Sequence, residues 1–424
     1  MITGSSRTFL GFGFGPIQSA LFLYEAWRTG RFTRFTVAEV DRSLVEAVNT
    51  NAGRYSINIA HQDGIEQVTV DGVELLDPND EAQRQRLIAA AAEADEMATA
   101  LPSVDFYDRG GEASVVSILA AAVSRRDADR PAILYAAENH NHAAEILAGH
   151  LEPRLGREAL AHFQPLNTVI GKMSGVIDDP QTSRQLRLAP LTPGNPRAVL
   201  VEAFNRILIS RITLPRFEPA INVFEQKDDL LPFERAKLYG HNAIHALIGY
   251  LAWERGYATM AEAGGDAALM DIARRAFLDE CGRALIVRHA DLGDPLFTES
   301  GFRDYAEDLL ARMVNPHLND LIPRIIRDPQ RKLGWDDRIY GTMRMVLEAG
   351  LQPTHLATGA AGGVRCLLAG PDAPASSPRR TRPSSRKALD ALLRELWGKA
   401  AESDAAQADR LIELTWRAMA GQAR

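Results

Sequence analysis

Short apolar runs and helical patterns alternate along the first half of the chain. A strand pattern at residues 7–10 enters a glycine-rich turn at residues 11–16, and apolar side chains then recur at helical spacing over residues 17–27. A β-branched and aromatic run follows at residues 32–40, with a helical pattern at residues 43–49. The change of period from strand to helix and back predicts a βαβ unit at the start of the chain.

The same alternation continues beyond this unit. Helical patterns occupy residues 82–98 and 114–124, and residues 132–137 form a short buried-strand pattern. Asn141 is a candidate cap for the helix that follows. Strands that alternate with helices are typical of a parallel, doubly wound sheet, so we predict an α/β fold for this half of the chain.

The second half has long segments rich in Ala, Leu, Arg and Glu with little strand signal. The helical segments lie at residues 233–255, 267–288, 302–313 and 336–349, with a final pair from Lys387 onward. Turn formers at residues 189–196 separate the halves, and we predict an α/β domain at residues 1–195 and a mainly α-helical domain at residues 196–424. The basic, Pro- and Ser-rich stretch at residues 371–386 is predicted to be a mobile loop.

Composition excludes several classes of protein. The chain has 48 Lys and Arg against 55 Asp and Glu, a net charge of −7, so it lacks the basic excess of proteins that bind nucleic acid. Its two cysteines are too few for a disulfide framework. No apolar run approaches the roughly 20 residues of a membrane span. We therefore expect a cytoplasmic protein that acts on a small molecule, without a membrane or nucleic acid partner.

The glycine turn is a candidate cofactor site. Gly11 and Gly13 match the first two glycines of G-x-G-x-x-G, and Pro16 stands at the third position. Such a turn lets the backbone approach a pyrophosphate, whose charge the helix N-terminus favours. Glu39 ends the second strand, where a carboxylate can accept both ribose hydroxyls and repels a 2′-phosphate. The pair predicts NAD rather than NADP; the alternatives are a structural turn and a solvated strand-end acid.

A second candidate site opens the helical half. At about 100° of rotation per residue, His241 and His245 fall within about 80° of Lys237. Glu234 falls at about 60° and Asn242 at about 140°. A partly desolvated lysine can act as the base for an alcohol that loses hydride, and an amide can donate to the oxygen that becomes charged. The alternative is a solvated polar face, but the interleaved apolar residues favour a buried one.

The motif K-x4-N-x2-H formed by Lys237, Asn242 and His245 resembles the zinc-independent, polyol-specific long-chain dehydrogenases, the mannitol dehydrogenase family. Further segments that resemble this family are the glycine turn and residues 37–41, 137–139, 167–169, 229–230 and 312–338. The resemblance implies an N-terminal Rossmann domain that binds NAD, a helical domain that supplies a catalytic lysine, and an active site in the cleft between them. It implies interconversion of a polyol or polyol phosphate and its ketose, of the mannitol 1-phosphate and fructose 6-phosphate kind.

The resemblance also implies roles for individual residues. Lys237 would be the general acid and base, and Asn242 together with Asn167 would stabilise the charged oxygen. His245 would hydrogen-bond substrate hydroxyls, and Glu234 would relay the proton. The predicted cofactor contacts are Gly11, Gly13, Phe14, Gly15, Pro16, Ile17, Glu39, Ala100 and Asn139.

Departures from the family pattern leave the substrate open. Residues 170–172 read Ile-Gly-Lys where the family commonly has Val-Asp-Arg. A sugar acid is therefore the alternative substrate class, and a catalytically silent NAD-binding sensor is the alternative function. A monomer and a dimer are both compatible with the sequence.

Three basic side chains are further substrate candidates. Arg331 and Lys332 could bind a substrate phosphate as charged donors, or could form a basic surface loop, and His241 lies on the lysine helix. His140 and His142 resemble a metal pair only superficially because no third ligand of suitable spacing is nearby, so no metal is expected.

Overall fold

The computed structural model describes residues 7–127, 130–370 and 382–421. The chain divides into two compact units, residues 1–231 and 232–424, which are described separately below. The division falls 36 residues later than the predicted boundary after residue 195, because three further strands at residues 198–227 join the sheets of the first unit. No helix in the described part of the chain is long and apolar enough to cross a membrane.

Twelve strands lie among the described residues of the first unit. They are β1 (Arg7–Phe12), β2 (Phe32–Ala38), β3 (Tyr55–Ala60), β4 (Ile65–Val70), β5 (Val73–Leu76), β6 (Glu96–Thr99), β7 (Ala132–Ala136), β8 (Phe163–Val169), β9 (Ser174–Ile177), β10 (Ala198–Glu202), β11 (Ile207–Ser210) and β12 (Phe224–Lys227).

The first unit also contains seven α-helices, one π segment and two 3₁₀ turns among its described residues. The α-helices are α1 (Leu23–Arg28), α2 (Arg42–Thr50), α3 (Glu81–Glu93), α4 (Val115–Val123), α5 (Ala143–Leu155), α6 (Arg157–Leu160) and α7 (Pro180–Gln185). The π segment Gln18–Phe22 precedes α1, and the 3₁₀ turns are Val104–Phe106 and Gly111–Ala113.

An eight-stranded sheet with the order β12-β11-β8-β7-β6-β1-β2-β5 forms the centre of the first unit. Its six strands from β8 to β5 are parallel, and only β11 joins β8 in the antiparallel sense. The order reverses beside β1, which is the arrangement of a dinucleotide-binding sheet, and ligands bind such sheets at the carboxyl ends of the strands near the reversal. The predicted parallel, doubly wound fold is confirmed.

Apolar side chains fill both faces of this sheet. Along β1, Phe9 belongs to one core and Leu10 to the other, as the alternation of side chains in a strand requires. The first core includes a stack of Phe22 on Tyr135, with ring centroids 5.5 Å apart. A second sheet, β4-β3-β10-β9, was not predicted, because its short strands do not stand out from the loops around them in the sequence.

Two local predictions in the first unit are wrong. The helix expected over residues 82–98 ends at Glu93, because Ala94 turns extended and the chain enters β6. Asn141 does not cap the following helix, whose N-cap residue is His142. The side chain of Asn167 on β8 accepts a hydrogen bond from Ala144 N at 2.8 Å instead, so the cap comes from a distant strand.

The second unit is helical over its described residues, apart from one isolated bridge at Thr259 and Leu321, as predicted. Its α-helices are α8 (Leu231–Arg235), α9 (Ala243–Arg255), α10 (Met260–Gly264), α11 (Ala267–Arg275), α12 (Arg283–His289), α13 (Glu299–Met313), α14 (Ile322–Ile326), α15 (Pro329–Lys332), α16 (Tyr340–Glu348), α17 (Thr354–Ala369), α18 (Arg386–Trp397), α19 (Lys399–Ser403) and α20 (Ala405–Gly421). Its 3₁₀ turns are Ala290–Leu292, Pro295–Phe297 and Pro316–Leu318. Residues 371–381 of the predicted mobile loop lie outside the described residues.

Two long helices of the second unit are interrupted by π segments. Ala236–Asn242 joins α8 to α9, and Ala276–Gly282 joins α11 to α12. The two segments pack together, since a Cβ at Gly240 would lie only 3.0 Å from the ring of Phe277. Glycine at this position therefore permits the close approach, and the widened turn that begins next to Lys237 is held by the core.

Candidate active site

The glycine turn leaves open space where the first helix begins. Gly13 has a φ of +81°, and a Cβ there would lie 2.9 Å from the carbonyl oxygen of Ala100, so a side chain is excluded. Gly15 is exposed, and nothing lies within 4 Å of the position a Cβ would take. The backbone is therefore accessible at the turn, next to the reversal of strand order. Pro16 and Ile17 are partly buried in the first turn of the helix.

Glu39 is bound to this turn. One carboxylate oxygen accepts from Phe14 N at 2.7 Å and the other from Asp41 N at 2.7 Å. The Phe14 side chain points into the core, where its ring lies 5.0 Å from that of Tyr55. A carboxylate has about four acceptor positions, so Glu39 keeps acceptor capacity beside the two backbone bonds. It is 9% exposed.

Two buried side chains near the turn were missed by the sequence analysis as site residues. Glu138, after β7, accepts from Leu101 N and Thr99 Oγ1, each at 2.9 Å, and from the Tyr107 hydroxyl. Burial raises the pKa of the Glu138 carboxyl, although these hydrogen bonds oppose the shift. Glu138 thereby anchors the segment after β6 that contacts Gly13.

Gln18 is the second side chain that was missed. It is fully buried at the start of the π segment, and its amide makes no hydrogen bond within the described residues. A Cβ at Gly11 would collide with this amide, so Gly11 is required by the packing of the helix on β1. No periodicity or spacing in the sequence identifies a contact of this kind.

In the second unit, the helix that carries Lys237 is not a regular α-helix. Ala243 N donates to Leu238 O, five residues earlier, which is the hydrogen bond of a π segment. Each residue of a π segment turns the helix by less than the 100° of an α-helix, so side chains five residues apart point in more similar directions. Lys237 and Asn242 are five residues apart, so the π segment makes the angle between them smaller than the roughly 140° expected from the sequence. π segments are frequent at functional sites.

Charge and burial act together on Lys237. The pKa of Lys237 falls to about 8, mainly because burial removes the ammonium from water. The positive charge of Arg338 lowers the pKa further, and the negative charge of Glu234 opposes the shift. Glu234 is itself 8% exposed. Lys237 can therefore exchange a proton near neutral pH, which a lysine in water does not do.

The two histidines of this helix have different environments. His241 is buried, and its pKa is well below the usual value, first because of burial and then because of the charges of His245 and Arg312. His241 is therefore neutral. The His245 ring lies 6.2 Å from that of His241, and its Nε2 is 3.0 Å from an oxygen of Asp320.

A cavity of about 240 Å³ opens beside these residues. Asn242 and His245 form one part of its wall, and five of the other seven lining residues are basic. The other lining residues are Ala246, Arg324, Ile325, Arg327, Arg331, Lys332 and Arg338. Arg338 also acts on Lys237 through its charge, which connects the cavity with the buried amine.

The basic residues of the cavity differ in their freedom to bind a ligand. Lys332 is buried and donates to Ile325 O at 2.7 Å and to Arg327 O, and burial together with nearby arginines lowers its pKa to about 8. Arg331 pairs with Asp328 at 2.7 Å. The exposed guanidinium of Arg327 makes no ion pair within the described residues, so it is the most available cation of the wall.

The remaining predicted residues all lie in the first unit. Asn139 is exposed after β7, and Ala100 is partly buried after β6, where its N–H donates to Phe12 O at 3.0 Å. The amide of Asn167 donates to both oxygens of Glu145, at 2.9 and 2.7 Å, and caps α5.

Lys172, one of the departures from the family pattern, is a structural residue. Its ammonium is buried and donates to Asn205 Oδ1 at 2.6 Å and to Phe204 O at 3.0 Å. Over the described residues, no group of three or more His, Cys, Asp or Glu side chains is arranged to hold a metal ion.

Comparison with known proteins identifies the family. A family model described as the mannitol dehydrogenase C-terminal domain matches residues 229–375. A mannitol-1-phosphate 5-dehydrogenase of Geobacillus thermodenitrificans is 31% identical over 305 residues, which cover 71% of this chain and 72% of the relative. The chain belongs to the mannitol dehydrogenase family. A mannitol-1-phosphate 5-dehydrogenase of Halalkalibacterium halodurans is 27% identical and covers 76% of this chain and 78% of its own.

Two solved structures share the fold of this chain. Pseudomonas fluorescens mannitol 2-dehydrogenase, in a ternary complex with NAD and D-mannitol, aligns with a TM-score of 0.68 at 17% identity, over 99% of this chain and 92% of its own. A substrate-free D-sorbitol dehydrogenase aligns with a TM-score of 0.73 at 15% identity, over 97% and 93%. At these identities the likeness supports the fold alone.

The electrostatic environment of Lys237 is tested by following the titration of individual lysine side chains with pH. In the protein labelled with ¹³C at the lysine ε-carbon, we expect the Lys237 and Lys332 resonances to titrate with pKa values of about 8. Glu234→Gln should lower the Lys237 pKa further and Arg338→Met should raise it, since their charges act in opposite senses.

Resonances are assigned by Lys237→Met and Lys332→Met, and Lys399→Met, an exposed position, serves as the control. A Lys237 resonance that titrates like a lysine in water would contradict the burial of the ammonium.

Proposed function

We propose that this protein is an NAD-dependent oxidoreductase that interconverts a polyol phosphate and its ketose, with Lys237 as the general acid and base. The observation that carries the proposal is the lowered pKa of Lys237, about 8, on the helix whose Asn242 and His245 line a basic cavity. Membership of the mannitol dehydrogenase family supports it. So do the relatives that are mannitol-1-phosphate 5-dehydrogenases.

Oxidation requires that the hydroxyl proton leave as the carbon loses hydride. Neutral Lys237 accepts that proton at Nζ, and protonated Lys237 returns it to the oxygen in ketose reduction. Glu234, whose negative charge raises the pKa of Lys237, passes the proton onward to water. The Asn242 side chain donates to the oxygen while negative charge develops on it.

Asn167 is not included in this machinery. Its amide nitrogen donates to the carboxylate of Glu145, and its oxygen accepts from the first turn of α5. We therefore assign Asn167 a capping function. Asn242, on the π-widened helix, is the amide that remains available at the cavity.

The residues of the first unit fit NAD. Gly15 offers backbone without a side chain above it, the helix that begins at Pro16 presents unpaired N–H groups, and Glu39 lies next to the turn. When bound, NAD supplies the hydride acceptor. Phe14 and Ile17 pack against the core, and Gly13 allows the turn to lie close to the segment after β6.

The basic cavity favours a substrate that carries an anion. Arg327 is the first candidate for a phosphate contact, with Arg331 beside it, whereas the ammonium of Lys332 is occupied by two carbonyl oxygens. A sugar acid is the second candidate substrate, because a carboxylate would be held by the same guanidinium groups.

The first test removes the proposed base. Lys237→Met should lower kcat by about 10² to 10⁴ while NADH affinity is maintained, because the proposed cofactor residues lie in the first unit. In the wild type, polyol oxidation should accelerate as pH rises through about 8, where Lys237 becomes neutral, and ketose reduction should slow over the same range. Lys399→Met is the matched control. A Lys237→Met enzyme with more than about a tenth of wild-type kcat would overturn the assignment.

Cofactor preference tests Glu39. Glu39→Gln keeps the size of the side chain and one acceptor oxygen for the two backbone N–H groups, and it removes the charge that opposes a 2′-phosphate. We expect the NADPH dissociation constant, divided by the NADH dissociation constant, to fall about tenfold or more. Close like charges cost on the order of 1 to 4 kcal/mol, and the substitution removes one of them. Glu46→Gln, on the exposed face of α2, should leave the ratio unchanged. Equal wild-type affinities for both cofactors would contradict the role of Glu39.

Substrate choice tests the basic wall. NADH oxidation should be fastest with fructose 6-phosphate when compared with fructose, fructuronate and tagaturonate. Arg327→Met should raise KM for fructose 6-phosphate about tenfold, the equivalent of one charge-assisted hydrogen bond, and leave KM for fructose unchanged.

Arg303→Met, an exposed arginine elsewhere in the second unit, is the control. Preference for a hexuronate would select the sugar acid, and an equal change for both ketoses would exclude a phosphate contact at Arg327.

A further inference from the structure

Asp320 connects two residues of the cavity wall. It lies just before α14, and its carboxylate is almost completely buried. One oxygen lies 3.0 Å from His245 Nε2, and the other accepts from Arg324 Nε at 3.0 Å and from its Nη2 at 2.6 Å. His245 and Arg324 both line the cavity, whereas Asp320 does not.

The position of Asp320 is itself fixed by the backbone. Its carbonyl oxygen accepts from Met260 N at 2.9 Å, and the next residue, Leu321, forms a bridge with Thr259. The backbone that carries the carboxylate is therefore fixed independently of the side chains that the carboxylate binds. A fixed acceptor of this kind can orient a mobile imidazole.

The charge of Asp320 determines which nitrogen of His245 carries hydrogen. Burial alone would raise the pKa of the Asp320 carboxyl, but the hydrogen bond with His245 and the charge of Arg324 outweigh it, so the pKa is lowered and the group is ionised. An ionised carboxylate only accepts hydrogen bonds. His245 Nε2 must therefore donate, and in the neutral ring Nδ1 is the acceptor.

We propose that Asp320 is a positioning residue that fixes His245 in the Nε2–H tautomer, so that Nδ1 accepts a hydrogen bond from a substrate hydroxyl. Nδ1 makes no hydrogen bond with any described residue. The same carboxylate holds Arg324 at the wall, which orients an acceptor and a cation in the same cavity. The substrate part of this inference rests on the proposed function, but the tautomer does not.

The tautomer is measured without substrate, in the full chain labelled with ¹⁵N at histidine. We expect His245, assigned with His245→Gln, to show a protonated Nε2 and an unprotonated Nδ1. Asp320→Asn should shift the ring toward the other tautomer, because a neutral amide can also donate. Asp266→Asn, which loses a carboxylate bound to Tyr257 and to the start of α11, should leave the His245 signals unchanged.

Kinetics then separate positioning from general stability. Asp320→Asn should lower kcat/KM for fructose 6-phosphate about 10- to 100-fold without change in NADH affinity, the range expected for a hydrogen bond to a charged group. Added to His245→Ala, Asp320→Asn should cost less than it does in the wild type, because the contact with the imidazole is already lost and only the contact with Arg324 remains to be weakened.

Additive losses, or a wild-type His245 protonated at Nδ1, would overturn the proposal. If Asp320→Asn does not fold, the wild-type tautomer still decides. A fully active Lys237→Met enzyme would instead reject the proposed function and leave the tautomer result intact.

Discussion

The proposed function depends on one physical constraint, the removal of the Lys237 ammonium group from water. Lys237 is placed on a helix that enters an apolar core, with the carboxylate of Glu234 and the guanidinium of Arg338 close enough to act on it. Burial and Arg338 favour the neutral amine, and Glu234 keeps the shift within a range that still permits protonation. A base and an acid are thus available from one side chain near neutral pH.

The conformation of the backbone sets the relative direction of the Lys237 and Asn242 side chains. A regular α-helix would direct Lys237 and Asn242 to different sides, but the π segment Ala236–Asn242 brings them together. A second π segment packs on it through Phe277 and Gly240, so the irregular turn is supported by the core. A third π segment follows the glycine turn of the first unit, where Tyr55 donates to Ser19 O at 2.7 Å. Helical irregularity accompanies both candidate sites.

The sequence was sufficient to predict the fold class and to propose candidate residues for each site, because both steps depend on periodicity and on local motifs. The alternation of strands and helices up to Ala136 and the residue types around Lys237 are information of this kind. The π segments could not be predicted, since they depend on packing between distant helices. Asp320, Glu138 and Gln18 were missed for the same reason, because each acquires its role from partners far along the chain.

Proton transfer by Lys237 is the central claim, and the first turnover tests it most directly. The enzyme is mixed rapidly with NAD and mannitol 1-phosphate, and NADH absorbance is followed from about pH 6 to about pH 10, so that product release does not obscure the chemical step. We expect the first-turnover rate to rise with an apparent pKa of about 8 and then to become constant. A rate that does not change with pH, or that rises only at the pKa of a lysine in water, would contradict it.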